Sequence, residues 1–131
     1  DPTCETACMD SEPAGGMGCG TGTTLPVGSL PASKSPYGIL DMAGNVFEWV
    51  QDYDDGQFYI HSEVQDPVNN QPTMQTVETD GVAVTSPSDV RGIRGGAWNA
   101  SPMLLRASNR GGFAQSGRTV YTGFRCAMNP Q

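Results

Sequence analysis

The sequence predicts a loop-rich, mostly irregular α+β domain. Glycine and proline occupy 17 and 10 of the 131 positions, and the hydrophobic fraction is only 37%. Such a composition suits many turns and short elements, not a helical bundle. The apolar runs are brief and bounded by glycines, so strands and helical turns are expected to be short. The length allows one domain at most.

Residues 1–34 read as an extended loop. Glycines at 15, 16, 18, 20, 22 and 28 and prolines at 13, 26 and 31 interrupt any helix or strand period. A loop this long needs a staple, and Cys4, Cys8 and Cys19 supply candidates, with Cys126 the fourth cysteine. An even count predicts two disulfides and an oxidising compartment, hence a secreted, periplasmic or cell-surface location. Of three connectivities, Cys4–Cys19 is favoured because it closes the loop around Gly15-Gly16 without a second element. Cys8–Cys126 would then tie the loop to the last strand. A bond from Cys126 to an upstream segment is a further alternative. Zinc is disfavoured, because Cys4-x-x-x-Cys8 has no histidine nearby.

Residues 24–29 lead into the stretch that organises the chain, residues 35–53, SPYGILDMAGNVFEWVQDY. It opens on Ser35-Pro36 and places Asp41, Gly44, Asn45 and Glu48 within eight positions. Two carboxylates on a tight loop, with carbonyls able to turn inward, suit a hard cation such as calcium. A hairpin-like turn with a surface Glu48 is the alternative. Residues 46–53 are expected to form a strand or a short helical turn, with Val46, Trp49 and Val50 inward and Glu48 and Asp52 outward.

Residues 54–90 read as surface loops with one extended segment at 82–85. They hold His61, a lone histidine expected to be solvated, and an acidic rim at Asp52, Asp54 and Asp55. Residues 90–98 read as a buried strand whose glycines permit close backbone approach, with Trp98 in the core. Residues 103–110 read as one or two helical turns. These place Arg106 and Arg110 on one face and pack Leu104 and Leu105; Gly111-Gly112 then break the helix. Residues 119–128 read as a final strand with Val120, Phe124 and Cys126 on one face.

The formal charge is −7, from 14 acidic and 7 basic residues. Nucleic-acid binding needs a clustered basic face, and only Arg91/Arg94 and Arg106/Arg110 pair up, so that class is set aside. No apolar run has membrane-spanning length, and none of the residues reads as a signal segment. The start at Asp1-Pro2 reads as a mature or cleaved product, or a fragment. No Ser/His/Asp set can be assembled around the single histidine, and nothing selects Asp52 or Asp54 for acid–base work.

Three motifs carry a resemblance. Asp41-Met42-Ala43-Gly44-Asn45-Val46-Phe47-Glu48-Trp49 resembles the D-M-x-G-N-V-x-E-W signature of the formylglycine-generating enzyme, or sulfatase-modifying factor, family. Arg94-Gly95-Gly96-Ala97-Trp98 resembles R-G-G-S-W, and Gly123-Phe124-Arg125-Cys126 resembles the closing G-F-R strand. The resemblance implies a variant of the C-type lectin fold, mostly irregular with a small antiparallel sheet, of which this chain is the C-terminal portion. Its parts are the stapled loop 1–34, the calcium-loop motif 35–53, the surface loops 54–90 and the C-terminal strands 91–131.

The resemblance also implies a structural calcium on the side chains of Asp41 and Glu48 and the carbonyls of Gly44 and Val46. A family calcium-ligand pair falls near Cys8 and Cys19, which makes Cys8–Cys19 the second-ranked disulfide. The family enzymes oxidise a sulfatase cysteine to an aldehyde on copper(I) held by two cysteines after the R-G-G-S motif. The corresponding positions here are Ala100 and Leu105, so no copper is expected. The related non-haem iron enzymes need histidines carried largely on another domain.

What remains is the scaffold as a binding surface, formed by residues 99–103 and 113–121. Trp98, Asn99, Arg106, Arg110, Arg118 and Tyr121 are the candidate contacts. The arginines at 94, 106 and 125 have an alternative role, bonding carbonyls or acids within the fold. The family's N-terminal half supplies a first strand beside the last, so a protein partner or that half is expected to cover residues 119–128. The expectation is a non-catalytic, calcium-stabilised binding or accessory-subunit domain. The alternatives are an oxidase-type enzyme with catalytic residues outside this chain and a structural cell-envelope component.

Overall fold

The computed structural model describes residues 1–55, 58–61, 68–72, 74–79, 82–87 and 89–127. The named strands are β1 (Phe47–Tyr53), β2 (Met74–Thr79), β3 (Val82–Pro87), β4 (Val90–Arg94), β5 (Gly111–Ala114) and β6 (Thr122–Gly123). One short helix, α1, covers Phe58–His61, and 3-10 turns lie at Glu12–Ala14, Met17–Gly20, Pro31–Ser33 and Pro102–Leu105. A four-stranded sheet has the order β5-β4-β1-β6, and β2 with β3 forms a separate two-stranded ribbon. This is the α+β class expected, with one difference in the sheet. β4 and β5 pair antiparallel, whereas β1 and β6 pair parallel, Phe47 opposite Thr122 and Glu48 opposite Gly123. A parallel pair requires a long crossover, and the whole stretch between Tyr53 and Thr122 provides it.

The chain divides into two compact units. The first comprises Asp1–Trp49, Arg94–Arg110 and Arg118–Gln131. Its core is a small cluster of Ala7, Met9, Ala97, Ala100 and Leu105, with Cys4, Cys19, Ala43, Phe47 and Tyr121 packed on it. Phe47 and Tyr121 meet edge to face at 6.5 Å. Few large side chains are buried, so main-chain hydrogen bonds between loops carry much of the order. Cys8 bridges Gly44 in a parallel β-bridge. The Asn45 amide donates to Cys8 O, Gly44 N to Gly95 O, and Trp98 N to Asn45 O. Asn45 itself is buried, and its side chain takes the Leu25 amide on Oδ1 and donates to the Leu25 carbonyl. The organising stretch is thus clamped between residues 8, 25, 95 and 98.

The staple is a Cys4–Cys19 disulfide with a Cα–Cα distance of 5.8 Å. The pairing expected beside it does not form: Cys8 and Cys126 are free thiols. Cys8 is turned inward with its Sγ toward the Thr23 carbonyl, while Cys126 is exposed. Burial pushes the Cys8 thiol above its ordinary pKa; the Asp41 charge adds to this and a hydrogen bond to the Leu25 backbone partly offsets it.

The second unit comprises Val50–Ile93 and Gly111–Gly117. Residues 54–90, expected as loops with one extended segment, contain α1 and the β2–β3 ribbon, paired from Met74↔Pro87 to Thr79↔Val82. Tyr53 N donates to Asn69 O, Asn69 Nδ2 returns to Tyr53 O, and the Arg91 guanidinium stacks 3.6 Å over the Tyr53 ring. The surface role expected of His61 concerns a side chain outside the described ones. Gly111-Gly112, expected to break a helix, open β5 instead. Side chains at these positions would press on Ile93, Val90 and Asp54, so the close β4–β5 pairing requires glycine.

Residues 103–110 also differ from the expected helical turns. The 3-10 turn stops at Leu105, and Arg106 is extended (φ −61°, ψ 138°). Arg106 and Arg110 therefore do not share a helical face. Leu105 is buried while Leu104 is 40% exposed. The expected last strand is cut to Thr122–Gly123, and Val120, Phe124 and Cys126 lie at the surface instead of packing a common face.

Candidate functional site

Asp41 and Asn45 are two of the three non-glycine residues with positive φ, at 57° and 66°, among those described. Such backbone is uncommon outside glycine and is held only where neighbours over-determine it. For Asp41 the neighbours are specific. Its Oδ2 accepts the Gly28 amide at 2.6 Å, and its own amide donates to Ser33 Oγ at 3.2 Å. Asp41, Val46 and Glu48 line one cavity of about 400 Å³, together with Val27, Leu40 and Arg125. Gly44, the fourth residue that the resemblance assigns to calcium, is buried against the Cys8 backbone.

The oxygen chemistry at this cavity suits a cation, and one is supplied by the chain. Arg125 Nε lies 2.8 Å from each Glu48 oxygen, and its Nη2 lies 2.5 Å from Glu48 Oε1. Nη1 donates to the Leu40 carbonyl at 3.1 Å and Nη2 to the Asp41 carbonyl at 3.2 Å. The hydrogen bonds to Glu48 push the Arg125 guanidinium further above its already high pKa. The calcium ligand set therefore fits only in part, since both oxygens of Glu48 are already engaged by Arg125. Among the described residues no group of three or more His, Cys, Asp or Glu gathers as a metal-binding cluster.

The second set of candidates is Trp98, Asn99, Arg106, Arg110, Arg118 and Tyr121. Trp98 Nε1 donates to the Val120 carbonyl at 3.3 Å, which joins the segment after Gly95-Gly96 to the turn before β6. Tyr121 is half-buried; its amide donates to Thr119 Oγ1, and Thr119 Oγ1 hydrogen-bonds Thr122 Oγ1 at 2.9 Å. Asn99 is half-buried, and Arg106, Arg110 and Arg118 are exposed. The arginines divide by role. Arg94 Nη1 holds the Asn109 carbonyl at 2.9 Å, and Arg125 holds Glu48. Both are structural, as sequence reasoning allowed for Arg94 and Arg125; Arg106 instead stands at the surface. Ala100 and Leu105, the positions of the family's copper ligands, fill the hydrophobic cluster with Ala7, Met9 and Ala97. Neither side chain carries a sulfur, and Met103 nearby is 65% exposed.

Sequence reasoning missed the Arg125–Glu48 pair as a pair. The two residues are 77 positions apart, and only the parallel register of β1 with β6 brings them together.

Loop-to-loop hydrogen bonds in the first unit and a small mixed sheet are features of a domain of the formylglycine-generating-enzyme type. The chain belongs to this family: the model of the sulfatase-modifying factor enzyme 1-like domain matches residues 13–130. The chain is 37% identical over 109 residues to the serine/threonine-protein kinase pkn1 of Chlamydia pneumoniae, covering 83% of this chain and 15% of that protein. It is 30% identical over 110 residues to the formylglycine-generating enzyme of Mycobacterium tuberculosis, covering 82% of this chain and 33% of the enzyme. Among solved structures, PvdO from Pseudomonas aeruginosa superposes with a TM-score of 0.62 at 28% identity, over 93% of this chain and 38% of PvdO. The chain thus spans about a third or less of the length of these curated relatives.

Proposed function

We propose that this chain is a non-catalytic binding or accessory domain built on the formylglycine-generating scaffold. The observation that carries this reading is the burial of Ala100 and Leu105 in the hydrophobic cluster. Copper(I) selects soft thiolate and thioether ligands, and these two positions offer hydrocarbon. The match to a small part of a much longer protein named as a kinase supports an accessory role, since in that protein the domain is one piece of a larger chain.

The ligand surface is Trp98, Asn99, Arg106, Arg110, Arg118 and Tyr121, and its chemistry favours an anionic partner. From Val90 to the end the chain carries six arginines and no aspartate or glutamate. Arg106 and Arg118 are exposed, and on this reading their planar guanidinium groups can take a carboxylate, sulfate or phosphate on two parallel N–H bonds, with Arg110, also exposed, adding positive charge. The acidic residues are concentrated elsewhere: the second unit holds eight of the 14 acids and one of the seven basic residues, a net of −7, and the first unit is balanced at six of each.

A protein segment is the proposed cover for β6. The strand is the last in the sheet order, and Val120 and Phe124 on either side of it are 75% and 77% exposed. An uncovered edge flanked by apolar side chains is a pairing site. The disulfide supports a secreted or periplasmic setting, and no described helix is long and apolar enough to cross a membrane.

The test is binding of fluorescent acidic and sulfated peptides by anisotropy, for the parent chain and for R106A/R110A/R118A. Thermal unfolding of the triple variant beside the parent checks that the fold is kept. Binding that weakens with salt and falls at least about tenfold in the triple variant is expected, about 1.4 kcal/mol in total. Equal binding by both proteins would refute the arginine surface.

A further inference from the structure

We propose that Arg125 is the resident cation of the loop at residues 40–48, doing for this chain what a divalent ion does when such a loop is closed by metal. The inference stands on the arrangement of oxygens around the guanidinium and is independent of the binding surface.

Four oxygens converge on Arg125: the carbonyls of Leu40 and Asp41 and both carboxylate oxygens of Glu48. A mixture of carbonyl and bidentate carboxylate oxygens is the coordination that calcium favours. Guanidinium can satisfy the same set because it presents five N–H donors in a rigid plane and is always charged. The fork thus spans the loop from Leu40 to Glu48, closing it as a chelated ion would.

The register of the sheet explains how the arginine arrives. Gly123 in β6 pairs with Glu48 in β1, and Arg125 follows Gly123 by two positions, the repeat that returns a side chain to the same side of an extended chain. Gly123 has no side chain, so the long arginine can reach back to Glu48 without competition. Glu48 is the more covered partner, 20% exposed, whereas Arg125 is 36% exposed and stands at the surface.

Charge then decides between the two cations. Glu48 and Arg125 neutralise one another, leaving Asp41 as the remaining negative charge among the three residues, Leu40, Asp41 and Glu48, that bring oxygens to the guanidinium. Calcium affinity rises with the number of charged ligands, and here a divalent ion would share its principal carboxylate with a positive guanidinium. The loop is therefore closed without metal, and it acquires a metal requirement when Arg125 is removed.

The experiment is thermal unfolding of the full chain in EDTA and in millimolar calcium chloride. The parent chain is expected to melt within about 1 °C in the two buffers. R125M is expected to lose about 5–10 °C in EDTA and to recover at least half of it in calcium. The recovery should vanish in R125M/E48Q, an outcome that a merely structural ion pair does not predict. R125K, which keeps the charge and loses the fork, should fall between parent and R125M, and it serves if R125M does not fold. A parent chain that melts several degrees lower in EDTA than in calcium, or an R125M that calcium leaves unchanged, would overturn the proposal.

Discussion

Replacing Gly44 with alanine tests whether the organising stretch is held by its backbone contacts. Gly44 has φ +78°, and its Cβ would press on the carbonyl oxygen, carbon and amide nitrogen of Cys8. Two costs add. Holding an alanine in left-handed backbone costs about 1–2 kcal/mol, reduced by about 0.4–1 kcal/mol because alanine also restricts the unfolded chain. The clash adds an overpacking cost of about 1–3 kcal/mol, because the obstructing atoms are backbone and cannot rotate aside. The hydrogen bonds from Asn45 N to Cys8 O and from Gly44 N to Gly95 O would also be displaced. The sum is about 1–5 kcal/mol.

Gly22 provides the control. Its φ is +69°, but no atom lies within 4 Å of the added Cβ, so G22A should cost only the backbone contribution, about 1.5 kcal/mol or less. Urea unfolding of the two variants beside the parent measures the difference directly, provided the m-values agree. If G44A and G22A lose the same stability, the close contact between residues 8 and 44 does not exist in solution.

Two further outcomes follow from the cysteines. Cys4 and Cys19 are 15 residues apart, so C4S/C19S should lose about 3 kcal/mol through the freed loop entropy, read as a lower urea midpoint; an unchanged midpoint would contradict the staple. Cys126 should react with iodoacetamide at once and Cys8 only when the protein opens. The raised Cys8 pKa also gives a sign. The unfolded thiol ionises first, so its contribution is complete below about pH 9 and is lost as pH rises through the folded value. The parent chain should therefore lose stability above pH 9 more steeply than C8A, and equal slopes would refute the buried thiol.

Much of the site was legible because its signals are local. The acids, glycine and asparagine of residues 41–48 mark an irregular loop, and the structure places three of its residues, Asp41, Gly44 and Asn45, in left-handed backbone. Arg94-Gly95-Gly96 marks the end of β4, where the chain leaves the strand toward the core at Ala97. What escaped is non-local or ambiguous. The tie between Glu48 and Arg125 depends on a parallel register set by a crossover of some 70 residues, which no short window contains. Gly111-Gly112 had two physical meanings, helix breaker or close strand approach, and only Ile93, Val90 and Asp54 beside them decide for the second. The β2–β3 ribbon was more accessible. Val- and Thr-rich runs separated by Asp80-Gly81 are a hairpin signal, and only one of the two strands was expected. Arg106 and Arg110 looked helical by spacing, but Pro102–Leu105 is a single 3-10 turn that ends before either.

The central claim is a formylglycine-generating scaffold without that chemistry, and copper(I) competition against a colorimetric chelator tests it most directly. Cys126 is alkylated in the native protein, where Cys8 is buried, with Cys4–Cys19 intact. Its copper(I) affinity is then measured anaerobically, and the loaded sample is incubated in air with a sulfatase-type cysteine peptide and an aldehyde-reactive probe. The account predicts that the chelator keeps the copper and that no aldehyde forms. One equivalent of copper withheld from the chelator, with aldehyde appearing on the peptide, would show that the chain carries the family's chemistry on ligands other than positions 100 and 105.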